Sequence, residues 1–441
     1  MSPGAHSAPA SSPGLASAAW HSLLWLVIGN AIGCMVALLL LMPAWNAWLG
    51  EWTYGRWIMV HMNVMLYGWS SLPLVGFLLV VYGADRGPLA PWCRPVLWAW
   101  SAALGVGALT WLSGQSSGKL FLDWSGYARV LFPLAIGAVW ALLAAAFVRV
   151  RAADSHASRA ARAAKLLGLA LLLAVPFTIY IASSPGLYPP INPDTGGPTA
   201  ASQLESSLMA VAILLMLPFG LTQQKPQRRH VIPYAWLALG AESLLCVAMG
   251  RADVSHHSPA QFLSLGCLLV WVPLTPAYYA AFAWNANTRG WRKAMLAWWV
   301  LLLVSGWVMF LPGVLDNFKF TDGLVGHSFV AMAGFTSALL IFVLVQLMGE
   351  DGWIFTRSWS FHLWNWSVLG YVALMMLAGW LEGNDPAFTI VPGVARNALY
   401  TLRLMSGIMM LVASLEWFAA ATEVLRQQQA AQQFAVREKT A

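Results

Sequence analysis

Apolar residues run along this chain in long blocks separated by short polar breaks. The blocks start near Leu23, Trp57, Val96, Tyr127, Leu166, Gln203, Val231, Pro259, Ala294, Gly323, Leu363 and Arg396. About 20 apolar residues wound as a helix cross the hydrocarbon core of a bilayer. Only a helix or a closed barrel satisfies its backbone there. The pattern therefore predicts an all-α polytopic membrane protein, with about twelve transmembrane helices in one bundle over residues 21–425. Residues 1–20 are rich in Ala, Ser, Pro and Gly and lack a basic n-region. They are expected to be a disordered tail rather than a cleaved signal. Residues 426–441 are expected to be a cytoplasmic tail. No long linker, second domain or internal repeat is visible.

Composition agrees. Hydrophobic residues fill 59% of the 441 positions and charged residues only 9%, against about 25% charged in a soluble domain. Such a chain cannot clothe itself in a hydrated surface, so lipid is its first partner. The 26 Trp suit the two interfacial belts. The net charge of +7 is an orientation signal here, not a nucleic-acid footprint. If successive breaks alternate sides, seventeen of the 24 Lys and Arg fall on one side and seven on the other. Cytoplasmic loops carry the excess, which puts both termini inside. The four cysteines, Cys34, Cys93, Cys246 and Cys267, are scattered, and no C-x-x-C-H motif is present. A covalently attached c-type haem is thereby excluded.

The same topology sorts the nine histidines. His6, His21, His156, His230 and His362 fall on or near the cytoplasmic side, outside the apolar blocks. His61 lies just inside the outer end of helix two, His256 and His257 at the outer end of helix seven, and His327 just inside the outer end of helix ten. Four imidazoles from three helices are thus expected at one depth. Imidazoles converging in a bundle core suit a haem or metal site. The alternative is four unrelated interfacial histidines.

His61 opens His-Met-Asn-Val-Met-Leu-Tyr-Gly-Trp and reads as an axial haem ligand, or as a structural histidine bonded between helices. His256 and His257 at a fraying helix end can both reach one copper ion, or form a polar loop pair. His327 follows Gly326 in a run of small residues that lets a flat macrocycle or another helix approach. Arg403, near the outer end of helix twelve, can pair with haem propionates or snorkel to the interface. Glu205 in helix six and Glu242 in helix seven are intramembrane acids. Each reads as a ligand or proton-handling group, or as one half of a pair within the bundle.

At these residues the chain resembles subunit I of the haem-copper oxidase superfamily, nearest the cbb-type cytochrome c oxidases and their nitric oxide reductase relatives. The resemblance covers nearly the whole chain. It rests on order: His61 with a following Asn63, the His256-His257 pair, Gly326-His327 opening helix ten, and Tyr400-x-x-Arg403 in helix twelve. It implies that His61 binds a low-spin haem, His327 a high-spin haem, and His256 and His257 copper. The cofactors implied are one or two haem b, with copper doubtful. It further implies oxidation of a c-type cytochrome, or of a cytochrome-bearing partner subunit, coupled to oxygen reduction in a bacterial plasma membrane. Glu242 would be a proton relay.

The sequence departs from the family in three places. The family has His-x-His in helix ten; here the second position is Phe329, which cannot ligate iron. The family has a copper-binding histidine in helix six; here there is none, and Glu205 is the possible substitute ligand. The family's active-site tyrosine has no clear counterpart. Three outcomes stay open: oxygen reduction with an unusual ligand set, electron transfer through a single haem, or a non-catalytic homologue. A twelve-helix secondary transporter is the reading from another class. Such folds usually show related halves and helices broken at mid-membrane, whereas these histidines gather near one surface.

Overall fold

The computed structural model describes residues 11–116, 119, 121–153, 158–187, 200–249 and 264–440. Among the described residues, eleven helices are long and apolar enough to cross a membrane, and a shorter apolar one joins them. They are numbered here in chain order. The first five are α1 (Pro13–Leu41), α2 (Tyr54–Tyr82), α3 (Gly87–Leu112), α4 (Ala128–Val150) and α5 (Arg159–Ala182). Then come α6 (Leu204–Leu221), α7 (Val231–Met249), the shorter α8 (Ser264–Ala280) and α9 (Ala286–Met309). The last three are α10 (Asp322–Phe355), α11 (Ser358–Asn384) and α12 (Val394–Ala431). The chain is a multi-pass membrane protein.

Helix ends follow local chemistry. The α1 helix starts at Pro13, inside the segment expected to be a tail, because Ser12 caps it: its Oγ accepts from the Leu15 N–H at 3.3 Å, with Pro at the first helical position. Its first turns are buried through Leu15, Ala16, Ala18 and Ala19. His21, placed by the sequence outside the apolar blocks, is therefore a buried residue of α1, 2.9 Å from Ser101 Oγ. The α2 helix stops where Gly83 turns left-handed at φ 73°, a conformation that costs glycine nothing. The helix of α12 runs on to Thr440 through the stretch expected to be a tail, which is rich in Ala, Gln, Arg and Glu.

The chain divides into two compact units. The first contains Met1–Tyr188, Val343–Trp364 and Gly407–Ala441; the second contains Pro189–Phe342 and Asn365–Ser406. Helices α10, α11 and α12 therefore each contribute to both. In the first unit the core includes an aromatic cluster of Tyr67, Trp100, Trp111, Trp124 and Phe132, with Trp124 and Phe132 stacked at 4.0 Å. In the second, Trp271, Tyr278, Tyr279 and Trp299 pack between α6, α8 and α9, each polar tip bonded: Trp299 Nε1 donates to Thr275 Oγ1 at 3.0 Å and Tyr278 OH to the Leu215 carbonyl at 2.6 Å.

Candidate functional site: two held imidazoles and a buried arginine

His61 lies in the first unit, two residues before the α-helical part of α2 ends at Asn63. Its Nδ1 is 2.8 Å from the carbonyl oxygen of Gly29 on α1. A carbonyl only accepts, so Nδ1 carries the proton and Nε2 of the neutral ring carries the lone pair. The ring lies so close to α1 that a Cβ on Gly33 would stand 2.9 Å from its Cε1. Gly29 and Gly33 form a G-x-x-x-G stretch, the spacing at which membrane helices approach closely. These two glycines are absent from the sequence expectations, although their G-x-x-x-G spacing is the signal that could have found them.

His327 lies in the second unit, one turn into α10. Its partner helix is α9. Ser305 Oγ lies 3.3 Å from His327 Nδ1 and 3.4 Å from the Leu302 carbonyl. When the hydroxyl donates to that carbonyl it accepts from Nδ1–H, and the lone pair of His327 is then on Nε2. A Cβ on Gly306 would stand 3.2 Å from His327 Cε1. A neutral imidazole whose Nδ1–H is held from behind is the ligand form that iron takes. On this donor chemistry both residues fit haem.

Phe329, two residues on, stacks on Tyr371 of α11 with ring centroids 3.8 Å apart and planes 16° apart. Tyr371 OH accepts from Arg403 Nε at 2.9 Å. Arg403 is buried, and its Nη1 lies 3.6 Å from Asp322 Oδ1 at the start of α10. The other oxygen of Asp322 accepts from Tyr400 OH at 2.8 Å. The guanidinium thus has a counter-ion inside its own unit. The Tyr400-x-x-Arg403 stretch is bound to the first turn of α10, a link no local pattern encodes.

Glu242 is buried on α7, where its Oε2 accepts from Trp271 Nε1 of α8 at 2.7 Å. Glu205, in the first turn of α6, is exposed. His256 and His257 lie outside the described residues. Among the described residues no three His, Cys, Asp or Glu side chains gather closely enough to hold a metal ion.

No family model matches the sequence, and no curated protein matches it. Among solved structures, a chain of a haem-copper terminal oxidase dimer, determined by cryo-EM, superposes with a TM-score of 0.52. The match covers 93% of this chain and 83% of that one, at 13% sequence identity. At that identity the likeness is one of backbone architecture: this multi-pass membrane protein has the fold of a haem-copper terminal oxidase subunit.

Proposed function

We propose that the chain is the haem-bearing, subunit I-like component of a respiratory terminal oxidase, taking electrons from a c-type cytochrome and reducing oxygen. One observation carries the reading. In a fold shared with a terminal oxidase, His61 has Nδ1–H engaged by Gly29 of the preceding helix, which puts its lone pair on Nε2, and His327 Nδ1 is held by Ser305 Oγ of its own preceding helix. Haem, when bound, supplies the one-electron and oxygen chemistry. The protein's part is to hold and orient. Gly29 fixes the tautomer of His61, Ser305 anchors the ring of His327, and Gly33 and Gly306 let the rings sit close. The proposed metal site at His256 and His257, with Glu205 as a substitute ligand, and the proton relay at Glu242 belong to the same reading. So do the plasma membrane location with both termini inside and the pairing of Arg403 with haem propionates.

The test is haem content per chain by the pyridine haemochrome method, together with oxygen uptake driven by reduced cytochrome c. A colourless pure protein would end the reading and revive the transporter. A second reading, an electron carrier that leaves oxygen alone, is favoured by the Phe329–Tyr371 stack, which fills with hydrocarbon the position where the family keeps an imidazole. Haem without oxygen uptake would select it.

A further inference from the structure

Each candidate histidine is followed by the same element. The α2 helix reads His61-Met-Asn-Val64-Met-Leu66-Tyr-Gly68-Trp69-Ser70-Ser71, and α10 reads His327-Ser-Phe-Val330-Ala-Met332-Ala-Gly334-Phe335-Thr336-Ser337. Aligned on the histidines, Val, Gly and the last Ser coincide, and Leu/Met, Trp/Phe and Ser/Thr match in kind. In both helices a seven-residue π-helical segment begins three residues after the histidine, at Val64–Ser70 and at Val330–Thr336.

The resemblance extends to the contacts. A π turn breaks the regular backbone ladder. In both copies the serine ten residues after the histidine donates to the carbonyl five residues behind it: Ser71 Oγ to Leu66 O and Ser337 Oγ to Met332 O, each at 2.9 Å. In both, a tryptophan of the preceding helix fills the glycine notch. Trp25 packs on Gly68, and Trp298 packs on Gly334 so closely that a Cβ there would stand 2.6 Å from the indole. Each indole donates onward, Trp25 to Ser101 Oγ of α3 at 3.1 Å and Trp298 to Asn365 Oδ1 of α11 at 2.9 Å. Eight residues after each tryptophan stands the glycine that meets the histidine ring, Gly33 and Gly306.

An α-helix advances about 100° per residue. A π segment takes in one extra residue, so the turn before it is rotated by about that angle relative to the helix after it. The filled glycine notch lies inside the π segment and pins it against the preceding helix, so the π segment sets which way the histidine before it faces. We infer that H-x-x-V-x-[L/M]-x-G-[W/F]-[S/T]-S is a duplicated imidazole-presenting element, one self-contained copy per unit. Its π turn and serine lock aim His61 and His327 each at its own haem. Ser71, Ser337, Gly68 and Gly334 are positioning residues. The inference rests on the haem reading above.

The experiment uses the full-length protein in detergent. Haem per chain and the reduced-minus-oxidised spectrum are read for wild type, for single-residue deletions of Met65 or Ala331, and for S71A, S337A, S71T and S337T. Each deletion is expected to halve haem per chain, removing a different spectral component in the two cases. Each Ser→Ala change is expected to shift or broaden the band of its own haem, and the matching Ser→Thr change to restore it. Should a deletion variant fail to insert, the Ala and Thr pair decides alone. Wild-type haem content and spectra in the Ala variants, or loss of both haems from one deletion, would overturn the inference and leave the haem reading standing. Wild type without haem would overturn both.

Discussion

Phe329 lies flat on Tyr371, ring centroids 3.8 Å apart, and Tyr371 in turn holds the buried Arg403 through its hydroxyl. The side chain two residues after His327 is thus part of the packing that seats a buried cation. A stacked aromatic pair contributes about 1 kcal/mol beyond its buried area, and Phe329 is half-buried, so its truncation also forfeits part of the ~3 kcal/mol that a fully buried Phe contributes. Phe329→Ala is therefore expected to lower the thermal midpoint of the purified protein clearly, as read by intrinsic fluorescence in detergent.

Phe329→His asks the complementary question. It loses the stack but offers a second imidazole two residues from His327. If the low-spin haem lacks a ligand only because of Phe329, this variant gains low-spin absorbance in the reduced spectrum. An unchanged spectrum in a folded variant would show that the missing imidazole is not what limits the site.

The Arg403–Asp322 pair is buried, with side-chain exposures of 9% and 14%. Removing one partner strands the other charge and costs about 3 kcal/mol, whereas removing both together costs much less. Arg403→Met is accordingly expected to destabilise strongly, and Arg403→Met with Asp322→Asn to recover most of the loss. Equal losses in the single and double variants would mean that the ion pair is not the main contribution.

Glu242 accepts a single tryptophan N–H inside the second unit. Glu242→Gln keeps an acceptor for Trp271, so its stability is expected to stay within about 1 kcal/mol of wild type. Oxygen uptake should fall about a hundredfold if the carboxyl relays protons. Glu242→Ala leaves the indole N–H buried without an acceptor and should lower stability as well. A Gln variant with full turnover would remove Glu242 from the proton path.

Much of this was decided by the sequence alone. The spacing of apolar blocks gave the helices and the membrane, because the cost of placing a residue in hydrocarbon depends mainly on that residue and its near neighbours. The same local reasoning erred at the ends. Pro13–Trp20 read as tail until the cap at Ser12 and the buried faces of Leu15 and Ala18 made it helix. Partner choice was beyond the sequence. Gly29 behind His61, Ser305 behind His327 and Asp322 beside Arg403 come from other helices, brought close only by packing. The duplicated element was printed in the chain, yet seven loosely matched positions among eleven carry little weight until the two π turns, the two serine bonds and the two filled notches appear in the same register. The hydrophobic pattern fixes where a histidine sits along the membrane normal. Only the backbone's local winding, held by neighbouring helices, fixes which way it faces.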